Sequence, residues 1–264
     1  MNQAGILALG IALLGIAEIA AADERGALVG QFVFDGVPPV PAVLETSPRM
    51  DCAKERVLDE SLIVSKEGGI ANVVVGLYLE RDQPAPAADP KRLQGLPESV
   101  VIQNKKCRLT PHIQILFAGR QSLVLDNPET YPINVKSTSL QNTPFNRLIG
   151  REAKITIEAK DLAAREVVPI PLSNGIHYWM RGLVVVVDHP YVALTDEQGK
   201  FKIEGISAGK HIFKAWQEKA GNVREIKQNG AAKEWVKGRF EVEIKAGQTL
   251  DIGTILVAPR IFER

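Results

Sequence analysis

The sequence predicts an all-β protein made of two packed β-sandwich modules, and three observations carry that prediction. Short runs rich in Val, Ile, Leu and Phe recur along the 264 residues, with Gly, Pro and Asn between them, at the spacing of sandwich strands. Helical periodicity is nearly absent, the best exceptions being residues 159–165 and 231–235. The late runs, such as 200–203, 210–216 and 239–244, alternate polar and apolar residues, as strands with one solvated face do.

Totals narrow the class further. Hydrophobic residues make up 45% and charged residues 24%, ordinary values for a folded domain. Lys and Arg number 32 against 31 Asp and Glu, with no block of like charge, so neither nucleic acid nor a membrane surface has an electrostatic footprint here. Residues 6–17 form an apolar stretch followed by Ala20, Ala21 and Ala22, a small-residue cleavage pattern. Residues 1–22 therefore read as a signal peptide, although the stretch is preceded by no Lys or Arg. A membrane anchor is the alternative, but the run is short for a span of about 20 residues. No other segment is long and apolar enough to span, so a periplasmic or secreted product is expected. Cys52 and Cys107 are the two cysteines. In an exported chain an even pair predicts one disulfide. Free thiols or a metal pair are the alternatives, and neither cysteine has a CxxC partner or a ligand cluster beside it.

Taken in order, residues 28–34 read as a strand ended by Asp35-Gly36 and a proline-rich break. Residues 62–64 and 73–79 flank a turn at 66–69, with 73–79 as a buried strand. Residues 83–97, with four prolines, read as a surface loop or linker. Strands resume at 100–102 and continue through 112–117, 122–125, 134–135, 153–157 and 167–170. The segment 172–201 then carries the chemistry. Its first part places His177 and Met180 three residues apart in a tight turn, and an imidazole with a soft thioether is what a copper site of the blue type uses. Its last part, 195–201 (TDEQGKF), is a polar turn entering an alternating strand.

Residues 107–112 (CRLTPH), 118–119, 125–127, 131–135 (YPINV) and the turn with His177 and Met180 together resemble the core of a cupredoxin. Residues 30–38 (GQFVFDGVP), 71–75 (ANVVV), 195–201 and 205–209 resemble a carboxypeptidase regulatory-like β-sandwich, and the pair resembles secreted bacterial proteins that combine the two. The resemblance implies a Greek-key sandwich over 99–187 and a second, discontinuous sandwich from 25–82 and 189–258. The cupredoxin-like part would then be an insertion, expected to show as residues 73–79 pairing in the sheet of Phe201 and Ile203. A sequential layout, with the second module confined to 189–258, is the alternative.

The resemblance also implies which ligand positions are altered. Ile133 stands where the family has its first copper His, and Asn174 where it has Cys, so His177 and Met180 alone occupy ligand positions. An amide cannot replace a thiolate, and one imidazole with one thioether is a poor Cu(II) site. A further Trp-His-Glu of such proteins is here Trp216-Gln217-Glu218. His112, His189 and His211 read as polar residues near turns. Residues 205–210 (GISAGK) are one residue short of a P-loop and join two strands, and no GxSxG, HExxH or CxxC is present, so no enzyme is expected. The expected function is a secreted, non-catalytic binding or scaffold protein without cofactor, meeting an extracytoplasmic protein or glycan through Tyr178 or Trp179. A copper electron-transfer protein with an atypical site is the other reading.

Overall fold

The computed structural model describes residues 25–46, 52, 55–80, 83–86 and 90–263. The expected signal peptide lies outside the described residues. In chain order the strands are β1 (Arg25–Phe34), β2 (Val74–Leu77), β3 (Ser99–Lys105), β4 (Arg108–Thr110), β5 (Ile113–Phe117), β6 (Ser122–Asn127), β7 (Ile133–Ser137), β8 (Asn146–Ile149), β9 (Ala153–Ile157) and β10 (Ile170–Ser173). They continue with β11 (Arg181–Val187), β12 (Val192–Leu194), β13 (Lys200–Ser207), β14 (Gly209–Gln217), β15 (Gly221–Asn222), β16 (Glu225–Gln228), β17 (Ala231–Glu234), β18 (Arg239–Ile244) and β19 (Thr249–Val257).

These strands make two all-β sandwiches. One faces the sheet β4-β3-β6-β9 against the sheet β5-β11-β10-β7-β8. Alternation supplies its core: Ile102, Leu123, Leu125, Val135, Leu172, Val184 and Val186 all point inward and are buried. The other faces β13-β1-β19-β16-β17 against β12-β2-β14, with β15 and β18 also paired to β14. Leu28, Phe32, Val75, Phe201, Phe213 and Ile255 fill that interior. The Cys52–Cys107 disulfide closes a separation of 55 residues and belongs to the first core.

Strand β11 shows why its sequence is apolar at every position from 183 to 187. Val184 and Val186 enter the core of their own sandwich, while Leu183, Val185 and Val187 join Val74 and Ile113 in a third cluster. Trp216, Val192 and Leu194 pack against that cluster from the other sandwich. The two modules therefore share an apolar seam, each buried aliphatic contributing about 1.5–3 kcal/mol.

Strand β2 departs from expectation. It pairs with β12 and β14, whereas β13, which holds Phe201 and Ile203, pairs with β1. Burial explains the choice. Val74 is covered on the seam face and Val75 in the core, so β2 needs a sheet buried on both faces. β13 presents Lys200, Lys202 and Glu204 outward and suits the solvated sheet. Three local expectations also change. Residues 231–234 form a strand paired with β16, and 159–162 a single 3-10 turn. The expected loop at 83–97 contains a five-residue helix, Pro90–Gln94.

Candidate functional site

The turn between β10 and β11 is organised by Asn174. Its Oδ1 accepts the backbone N–H groups of Ile176 at 2.8 Å and His177 at 2.9 Å, an Asx turn. The Met180 N–H donates to the His177 carbonyl at 2.8 Å and closes the next step. From β7, Asn134 Oδ1 accepts the Gly175 N–H at 3.3 Å, which places the start of that strand, and so Ile133, beside the turn. Asn174 Nδ2 donates to Met180 Sδ at 3.4 Å.

His177 is buried, with its ring centroid 5.4 Å from those of Tyr131 and of Trp179. The Tyr131 hydroxyl lies 3.1 Å from Cys107 Sγ, tying this aromatic stack to the disulfide. Asn127 holds Tyr131 in place by donating through Nδ2 to the Tyr131 and Gly150 carbonyls, both at 2.7 Å. Met180 is fully buried in the sandwich core.

This donor set does not fit copper. Ile133 is core packing, Asn174 places an N–H on the thioether sulfur, and both cysteines are consumed in the disulfide. Among the described residues no group of three or more His, Cys, Asp or Glu is arranged to hold a metal ion. The other histidines are engaged elsewhere. His211 meets the Ser207 carbonyl at 2.7 Å, and His189 stacks on Tyr191.

Tyr178 and Trp179 separate. Tyr178 is 60% exposed, its hydroxyl donating to the Glu45 carbonyl at 3.1 Å, whereas Trp179 is only 5% exposed. The expectation of Trp179 as a contact residue is therefore corrected: its ring turns inward, edge-on to His177, and supports Tyr178 at 5.1 Å instead. Tyr178 borders a groove of about 330 Å³ shared with Arg108, His112, Glu60 and Glu218.

That groove contains a charge cluster that nothing in the local sequence marks. His112 Nε2 lies 2.5 Å from Glu218 Oε2, and its Nδ1 lies 3.8 Å from Glu60 Oε2. Burial pulls the His112 pKa down, but the Glu218 hydrogen bond and the charges of Glu218, Glu60 and Asp59 outweigh it, leaving the pKa raised. Glu218 and His112 come from different modules and are 106 positions apart. Gln217, at the altered Trp-His-Glu position, is a turn residue: it donates to the Ser61 carbonyl and accepts from Lys219 and Ala220.

No family model matches the chain, and neither does any curated protein. Among solved structures, a point mutant of amicyanin in its Cu(I) form is similar over 36% of this chain and 89% of its own, at 16% identity and a TM-score of 0.30. The purple cupredoxin from Nitrosopumilus maritimus is similar over 34% of this chain and all of its own, at 16% identity and 0.28. The copper-containing nitrite reductase from Thermus scotoductus SA-01 is similar over 43% of this chain but only 25% of its own length, at 13% identity and 0.30. These neighbours are cupredoxins or contain copper, and the similarity covers between a third and a half of the chain.

Proposed function

We propose that the protein is an extracytoplasmic, non-catalytic binding or scaffold protein, built on a cupredoxin-like sandwich whose copper site has been replaced by a self-contained polar turn. The observation that carries this reading is the Asn174 side chain. Its oxygen holds two backbone N–H groups and its nitrogen faces Met180 Sδ, so the position spends its polar capacity on the turn itself. The disulfide fits an oxidising compartment. Among the described residues no helix is long and apolar enough to cross a membrane.

Exposed Tyr178, backed by Trp179, is the contact proposed for a protein or glycan partner. An aromatic ring braced by its neighbour presents apolar area at small entropic cost. Titration of the full chain with Cu(II) and with Cu(I), followed by calorimetry, tests the non-metal reading. Weak, non-stoichiometric uptake unchanged in His177→Ala is expected. Stoichiometric tight binding abolished by His177→Ala would replace this reading with the copper-carrier one.

A further inference from the structure

A second concavity, of about 730 Å³, lies between the two sandwiches at one end of their shared seam. Such a volume suits a small organic ligand, and interfaces between modules are a favoured place for one. Its walls mix an apolar strip with polar and charged groups. Val185, Val187 and Trp216 line the deep end, while Val167 and Val168 stand 72% and 43% exposed at the lip. Gly76 keeps the floor low: a Cβ there would meet Val192 at 3.5 Å, an ordinary contact, so the fold itself tolerates a side chain.

Among the described residues, one cation that lines this space has no counter-charge. Lys214 projects from the seam face of β14, the same face as Trp216. Among the described residues its ammonium has neither hydrogen-bond nor ion-pair partner. Burial lowers its pKa, and the charge that also bears on it is Arg239, of the same sign. Arg239 is itself only partly satisfied. Its guanidinium carbon sits 3.6 Å over the Tyr78 ring and Nη2 donates to the Tyr78 hydroxyl, but its buried Nε has no acceptor among the described residues.

Among the described residues, the carboxylates that line or border the cleft face other groups than Lys214. Both Glu166 oxygens accept N–H groups: those of Leu140, Gln141 and Asn142, with the Asn142 side chain adding a fourth. Asp188 pairs with Arg165 at 3.3 Å, and Glu80 bears on the Tyr78 hydroxyl. A half-withdrawn ammonium without an anion is costly, and a ligand anion removes that cost.

We propose that the cleft binds a small organic monoanion with an apolar body, its carboxylate meeting Lys214 and its hydrocarbon part lying against Val167, Val168 and Trp216. This site is separate from the Tyr178 groove and stands or falls independently of the function proposed above.

Octanoate is a suitable probe, with uncharged octanamide as its isostere and Trp fluorescence of the full chain as the readout. Saturable octanoate binding is expected, at least about tenfold tighter than octanamide. Lys214→Met should erase that preference while leaving octanamide binding unchanged and the melting temperature unchanged or slightly raised. Gly76→Leu, which fills the floor, should weaken both ligands. Equal affinity of the unsubstituted protein for octanoate and octanamide would overturn the proposal without recourse to any variant. So would octanoate binding that Lys214→Met leaves intact, or no saturable binding at millimolar octanoate.

Discussion

The turn at 174–180 and the cleft beside Lys214 both withdraw polar groups from water at the margin of a β-sheet, yet they are finished in opposite ways. In the turn, Asn174 satisfies two backbone N–H groups, and His177 is enclosed by aromatic rings. In the cleft, among the described residues, Lys214 meets the like charge of Arg239 and no anion, and Val167 and Val168 stand exposed at the lip. A polar group held by its own neighbours stabilises the fold and has little left for a ligand. One left incomplete costs the fold something and has its capacity in reserve.

The contrast makes the two regions respond differently to perturbation. The largest effect is expected beneath the turn. Replacing Cys52 and Cys107 together with Ser reopens a 55-residue separation and should cost about 4 kcal/mol in urea denaturation. The cooperative unit lost first should be the sandwich of residues 99–187, seen as early amide exchange there.

Next comes acid sensitivity on the cleft side. His189 lines the cleft, and burial lowers its pKa from 6.5 to about 4, Asp188 opposing and Arg165 assisting. The folded protein then binds fewer protons than the unfolded chain between those values. The stability owed to His189 is full above pH 6.5 and falls as pH drops toward 4, by something on the order of 3 kcal/mol. His189→Gln should flatten that limb of the stability-against-pH curve; an unchanged limb assigns it to other groups.

The turn and the cleft can then be compared one substitution each. Asn174→Ala strands one buried and one part-buried N–H group and should destabilise by about 2 kcal/mol. Lys214→Met removes a charge that has no partner among the described residues and should move stability little, to within about 0.5 kcal/mol, or upward. Reversal of that order would dissolve the distinction between the two regions.

The strand content and the break into two modules were legible because alternation survives wherever one sheet face is wet, as along 200–203 and 239–244. The disulfide was one of three readings of an even cysteine pair, favoured by the expected export signal over free thiols and a metal pair. The turn was legible through the resemblance to a cupredoxin loop, which implies altered positions at Asn174 and Ile133, but not which of Tyr178 and Trp179 faces out, since two adjacent aromatics in a turn offer no periodicity to decide it. The cleft was hidden for a more general reason. Lys214 occupies a polar position of an alternating strand, and every such position reads as solvated until another module covers it. His112 and Glu218 meet only because the modules dock, so nothing within either segment marks the pair. Strand β2 was legible as a buried strand, but not its sheet partners, for the same cause: its seam face is buried by residues that lie in the other sandwich.

The most direct measurement compares visible absorption of the unsubstituted protein with that of an Ile133→His, Asn174→Cys double variant, each purified and given equimolar Cu(II). A thiolate and a second imidazole beside His177 and Met180 supply the donor set that a blue site requires. An intense thiolate-to-copper band is expected in the double variant and none in the unsubstituted protein. A band in the unsubstituted protein, or a folded double variant that stays colourless, would contradict the proposed loss of a copper site here.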